Sequence, residues 1–311
     1  MRPPWSMILF TTLAGAAQGL MLVLVALDVM LALGLLAAPP GPLFLAGALI
    51  VLLLSGAGLV AAAFHLGRPM RAWRAISQWR TSWLSREVIV LPAFMAVTLA
   101  WGMAQRAGLA TLPLGVLATL LALALFICTG MIYAAVTVIR EWASPLTPLN
   151  FATQGLASGL TVGTALVAFT AAALLPWMAA AAAAATALAA LTRAASTWRN
   201  AGLAPRTTIQ SAIGVRHPHI RQTSMGAMGG SFNTREYFHG AAEDVLPRLR
   251  WAVAVAAFVL PGLALALGGG ALPAGMLVAL VLLQYAGLLG ERWLFFAEGR
   301  HPQNLYYQRM G

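Results

Sequence analysis

Residues 43–66 read LFLAGALIVLLLSGAGLVAAAFHL, and residues 67–86, which follow directly, read GRPMRAWRAISQWRTSWLSR. The first stretch carries no Asp, Glu, Lys or Arg over a length that crosses the hydrocarbon core of a bilayer, for which about 20 apolar residues suffice. The second stretch concentrates arginine and tryptophan, the residues that gather where a membrane meets water. Working outward from this pair, apolar windows recur at 8–36, 86–106, 112–139, 150–175, 177–198, 249–267 and 272–297, so that with 43–66 the chain supplies eight spans. The expected fold class is all-α: a polytopic membrane protein of eight transmembrane helices, with residues 1–311 forming a single membrane domain. Pro39-Pro40 and Gly268 to Gly270 mark short turns, and Pro176 is read as the break between the fifth and sixth spans. Arg2 followed by an apolar run with small residues at Ala14 and Ala16 has the look of a cleavable signal. The run continues to Leu36, however, so an uncleaved first span is expected.

Composition supports lipid as the main solvent. Hydrophobic residues make up 60% of the chain and charged residues 9%, against roughly a quarter charged in soluble proteins. An excess of 19 basic over 8 acidic residues could suit nucleic acid, but no soluble domain is large enough to carry a basic patch. Every basic residue is arginine and none is lysine. Durable contact with an acidic partner or with lipid headgroups is one reading of that bias, and codon usage in a GC-rich genome is another. The single cysteine, Cys128, lies in an apolar run. It permits no disulfide within the chain, and an iron–sulfur cluster, which takes about four thiolates, must belong to another subunit.

Eight spans place both termini on one side. That side then collects Arg2, the five arginines from Arg68 to Arg86, Arg140, the eight from Arg193 to Arg250, and Arg292, Arg300 and Arg309, leaving Arg106 alone on the other. The positive-inside rule makes the arginine-rich side cytoplasmic, and an odd number of spans would scatter the pattern.

Two connections on that side stand out. Residues 67–85 read as an interfacial helix, with Trp73, Ile76, Trp79 and Trp83 along one side and Arg71, Arg74 and Gln78 opposite, while Arg80 falls near the apolar edge. A simple aromatic belt with snorkelling arginines is the alternative. The second connection, about 199–248, contains Gly229-Gly-Ser-Phe-Asn-Thr-Arg-Glu-Tyr-Phe-His-Gly240. Its length and its mixture of glycine, aromatic and charged residues point to an ordered docking loop.

Charges inside a span are expensive, which makes them candidates for function. Asp28 lies toward the far end of the first span and either serves a proton path or bonds to a neighbouring helix. His65 ends the second span and Glu87 opens the third, so both lie at one boundary. A quinone that takes up two electrons needs two protons, and a histidine beside a carboxylate can deliver them. Arg68, Arg71 and Arg86 can stabilise charge developing on the ring oxygens. A b-type haem held by two axial histidines is not expected, because only His65 comes near membrane depth. His217 and His219, one residue apart and without acidic or thiol neighbours, read as solvent-facing rather than as metal ligands.

The segment His65-Leu-Gly-Arg-Pro-Met-Arg-Ala72, followed by Trp83-Leu-Ser-Arg-Glu87, resembles the membrane anchor subunit of the dimethyl sulfoxide reductase family of molybdoenzymes. The resemblance rests on the His-Leu-Gly-x-Pro block, its spacing to Ser-x-Glu, and the eight spans. It implies two partners, a molybdopterin catalytic subunit and a four-cluster iron–sulfur subunit. It also implies exchange of electrons with ubiquinone or menaquinone at the anchor, with His65 and Glu87 in the positions associated with quinol binding and oxidation. The sequence departs from the reductase pattern in the sidedness of its termini, in the loop from Ser231 to Gly240 and in the tail Glu298 to Tyr307. In these it is similar to the anchors of quinone-linked cytoplasmic sulfite dehydrogenases, which implies electron flow from sulfite to quinone in the inner membrane. The alternatives are a quinol-oxidising reductase anchor and, from another class, a transporter or passive scaffold. A transporter should show inverted repeats or paired broken helices about a midplane site, and the one titratable pair lies at a boundary. A reporter fused to the C-terminus should be active only in the cytoplasm; activity on the periplasmic side would reverse the orientation.

Overall fold

The computed structural model describes residues 4–37, 42–64, 66–204, 208–220 and 245–300. Without water in the bilayer core each backbone N–H and C=O must be satisfied within its own segment, so the apolar runs become helices. These are α1 (Trp5–Ala32), α2 (Leu43–Ala63), α3 (Trp83–Ala107), α4 (Leu112–Ala134), α5 (Leu146–Thr170) and α6 (Leu175–Ala201). The short α7 (Ile209–Ile213) precedes a seventh span made of α8 (Val245–Ala254), a π turn (Val255–Val259) and α9 (Leu260–Gly268), and α10 (Ala274–Ala297) completes the bundle. Eight segments of the described chain are long and apolar enough to cross a membrane, and the all-helical architecture expected from hydropathy is the one found.

α1 and α5 form the centre. In their most apolar windows 83% and 72% of residues are buried, against 28–39% in the other six, so those six carry most of the lipid-facing surface. Lipid tails are as apolar as leucine, so helices associate through close packing and polar contacts rather than by exclusion from water. Gly15 and Gly19 on α1 meet Gly155 and Gly159 on α5, and the backbones nearly touch. A methyl group added at Gly19 would overlap the Gly155 carbonyl, and one at Gly159 would overlap the Gly19 backbone. Polar pairs join other helices. Trp101 Nε1 of α3 donates to Asp28 Oδ2 of α1 at 3.2 Å, and both residues are buried. This bond is the helix-to-helix role open to Asp28. The Thr12 and Tyr285 hydroxyls join α1 to α10 at 3.2 Å, and the Thr153 and Thr192 hydroxyls join α5 to α6 at 2.9 Å.

Two prolines act differently from a simple break. The chain leaves helix at Ala171, and Pro176 sits in the first turn of α6, where its missing N–H has no partner to lose. The fifth and sixth spans are therefore divided near Ala171, not at Pro176. Pro261 lies within the seventh span and removes the N–H that would pair with the Ala257 carbonyl, and a π turn forms just before it. Gln284 of α10 donates its Nε2 to that carbonyl at 3.4 Å and to Thr186 Oγ1 at 3.1 Å. Gly269 makes the turn before α10 at φ 48°, a conformation open to glycine. The Pro39-Pro40 turn lies outside the described residues, as does most of the expected docking loop, including Gly229 to Gly240.

Gly19→Val should lower the thermal stability of the detergent-solubilised chain, by the ~1–3 kcal/mol typical of overpacking. Gly56→Ala, at a position where an added methyl meets open space, should leave it unchanged or slightly higher. Equal melting of the Gly19 variant and the unsubstituted chain would refute the close α1–α5 contact.

Candidate functional site

The connection between α2 and α3 forms a 3-10 helix over Pro69–Gln78. At three residues per turn its side chains fall into eclipsed rows. One row holds Trp73, Ile76 and Trp79, all exposed; a second holds Arg71 and Arg74; a third holds Ala72 and Ala75, which are partly covered. Arg80, at the edge of the apolar stripe in an α-helical reading, lies beyond the end of this helix in the turn that leads to α3, with its guanidinium 5.4 Å from the centroid of the Trp79 ring. Trp83 is not part of this element and instead opens α3.

Arg86 fastens the connection to α3. Its Nε donates to the Trp79 carbonyl at 2.9 Å and its Nη2 to the Arg80 carbonyl at 2.7 Å, while the guanidinium lies 4.2 Å from the centroid of the Trp83 ring. The Ser82 side chain caps α3 by accepting from the Ser85 N–H. One turn inward is Glu87, 3% exposed, whose Oε1 accepts a short hydrogen bond from the Thr129 hydroxyl of α4. Glu87 is thus a buried carboxyl held between two spans, one turn inside the end of α3 that the basic and aromatic strap joins.

Of the residues singled out in the sequence, Glu87 and Arg86 lie next to each other at the head of α3, but they face different partners. Arg68 and Arg71 are exposed on the connection. His65 lies outside the described residues, between the end of α2 and Leu66. His217 and His219 are exposed, and the His219 N–H donates to His217 Nδ1 at 3.0 Å.

A second polar centre occupies the same end of the bundle. Counting arginines by side assigns Arg292 to the boundary, yet it lies inside α10 and is only 4% exposed, next to Glu291 at 2%. Arg193 Nε of α6 pairs with Glu291 at 3.0 Å, Arg193 Nη2 with Glu298 at 3.3 Å, and Arg250 Nε with Glu298 at 2.7 Å. Arg292 donates to Gln154 Oε1 at 2.9 Å, and its guanidinium lies 3.6 Å from the Phe151 ring centroid. Phe151 stacks on Tyr133, which packs against Trp142, Phe295 and Phe296. The signal for this centre was Glu291-Arg292 inside the last apolar window, since two adjacent charges in a span need partners.

The arginine bias also acquires a structural use. Arg199 donates to the carbonyls of Arg140 and Ala143, and Arg140 donates to that of Ala204. As with Arg86, a rigid fork reaches two backbone oxygens at once, which a lysine ammonium does less well.

A helical bundle with a buried carboxyl at one boundary and a fixed ion-pair network beside it has the construction of a membrane anchor. A family model described as "DMSO reductase anchor subunit (DmsC)" matches residues 1–219, and the chain belongs to this family. It is the membrane anchor subunit of an oxidoreductase complex. Similarity extends over the full length to a subunit of the sulfite dehydrogenase of Allochromatium vinosum, at 47% identity covering 99% of each chain.

Arg193→Met removes the shared cation of Glu291 and Glu298 and should destabilise the chain by about 3–5 kcal/mol, the cost of leaving a buried charge unpaired. Adding Glu291→Gln should recover part of the loss in thermal unfolding. Wild-type stability in the single variant would mean that the network is not structural.

Proposed function

We propose that this chain is the quinone-reactive anchor of a molybdopterin and iron–sulfur oxidoreductase and that it passes electrons from an iron–sulfur subunit to the quinone pool. The observation that carries the reading is Glu87, a carboxyl buried one turn inside α3 and bonded to Thr129, at the end of the span where the arginine-bearing connection joins it. The soluble substrate is carried over from the similar protein named as part of a sulfite dehydrogenase, which makes sulfite the expected electron source and quinone the acceptor. The partners are then a four-cluster iron–sulfur subunit and a molybdopterin catalytic subunit, bound on the arginine-rich face. That face is cytoplasmic and the membrane is the inner membrane, on the one-sided distribution of arginine.

The bound quinone supplies the two-electron chemistry, and the protein handles position and protons. His65 holds the ring at the end of α2. Glu87, kept in one orientation by the Thr129 hydroxyl, relays a proton to or from a ring oxygen with the help of water. Arg68 and Arg71 present cations on the strap and stabilise negative charge developing on the oxygens. Arg86, whose Nε and Nη2 hold the Trp79 and Arg80 carbonyls, contributes by fastening the strap to α3. Protons come from and return to the side that holds both the site and the partners, so turnover at this subunit is not itself electrogenic.

Glu87→Gln and His65→Ala should each leave the complex assembled and active with an artificial dye at the soluble subunits. Quinone-coupled turnover should fall by about 100-fold or more, the range of a lost acid–base group. Full quinone turnover in both variants would overturn the site.

A further inference from the structure

On the opposite flank of the bundle from the α2–α3 strap, a groove of about 570 Å³ runs between α6 and the seventh span. Its two ends differ in chemistry. Toward the arginine-rich boundary it is lined by Arg193, Thr197, Arg250 and the Glu291 that pairs with Arg193, with Trp198 and Trp251 on its walls. Deeper in the bundle the wall is apolar and includes Phe258 and Val259 of the π turn. Trp198 and Trp251 are 84% and 72% exposed, as expected of rings lying at the level of lipid headgroups. By helix rise, Arg193 lies roughly 12 Å inside the end of α6, so the polar end of the groove sits between headgroup and hydrocarbon.

Among the described residues, the cluster of Arg193, Arg250 and Arg292 joined through the two carboxylates of Glu291 and Glu298 carries one positive charge in excess. Arg250 is the member that reaches the surface, with 43% of its side chain exposed, so the excess can be met from outside the protein. The matching ligand has a singly charged anion at headgroup depth and a long apolar body below it. We propose that the groove binds an anionic phospholipid, with its phosphodiester at Arg250 and an acyl chain along Phe258 and Val259. A quinone has the apolar tail but a neutral head, which would leave the charge unmatched. The site is separate from Glu87, and its existence does not depend on the quinone reading.

The test uses the full chain purified in detergent and stripped of lipid, with dioleoyl phosphatidylglycerol and dioleoyl phosphatidylcholine as probes. Native mass spectrometry should show one phosphatidylglycerol retained per chain and about ten-fold weaker retention of phosphatidylcholine. Arg250→Gln should reduce phosphatidylglycerol retention about ten-fold, whereas Arg74→Gln, the same charge change on the α2–α3 strap, should not alter it. Equal retention of the two lipids, or equal effects of the two substitutions, would overturn the proposal, the second by showing a diffuse attraction to the whole face. Displacement of phosphatidylglycerol by stoichiometric ubiquinone would give the groove to quinone and overturn it as well. Should Arg250→Gln fail to fold, a photoactivatable phosphatidylglycerol on the unsubstituted chain decides the matter: labels on 193–201 and 247–259 support the site, and labels confined elsewhere refute it.

Discussion

No water is available inside a bilayer to take up a stray hydrogen bond or to solvate a charge, and the architecture follows from that constraint. Apolar runs close on themselves as helices. Where Pro261 breaks the pattern, the carbonyl it leaves is taken by Gln284 from the next span. Several polar side chains that enter the bundle meet one another, Asp28 with Trp101, Thr12 with Tyr285 and Thr153 with Thr192. Since the lipid does not press helices together, the central pair depends on glycines that let α1 and α5 approach to backbone contact.

The same constraint divides labour at the arginine-rich end. One group of charges is ordered from outside the span, with Arg86 holding the strap through backbone carbonyls while Glu87 is held by Thr129 of the next span. The other is ordered from within, where Glu291 pairs with Arg193 and Arg292 donates to Gln154. Tyr133 stands between them, stacked on the ring that lies beneath Arg292 and on the same helix as Thr129. A rigid aromatic and ionic block thus stands next to the buried carboxyl at this end of the bundle.

Much of this is legible in the residues alone. Spans emerge from hydropathy summed over long windows, and Glu87 from its position at the head of a span. The strap is legible in composition but not in geometry. Its rows of tryptophan and arginine come from a 3-10 period that ends at Gln78, and an α-helical period carries the pattern past that end to Arg80 and Trp83. Pro176 is visible as a punctuation mark, but a proline can open a helix as readily as it can end one. Glu291 and Arg292 lie in plain view within the last window, and a count by side conceals them by treating arginine as a boundary residue wherever it stands.

The sequence by itself determined how many times the chain crosses the membrane, which loops share a side, and where the candidate carboxyl enters the bilayer. These are properties of local composition, and the solvent imposes them segment by segment. Only the tertiary structure decided which helices are central, that Asp28 joins α1 to α3, that Arg86 serves the strap, and that cations from α6, α8 and α10 converge on two glutamates. Those depend on which side chains lie within about 3 Å of one another, and short-range contacts between distant segments leave no trace in a one-dimensional average.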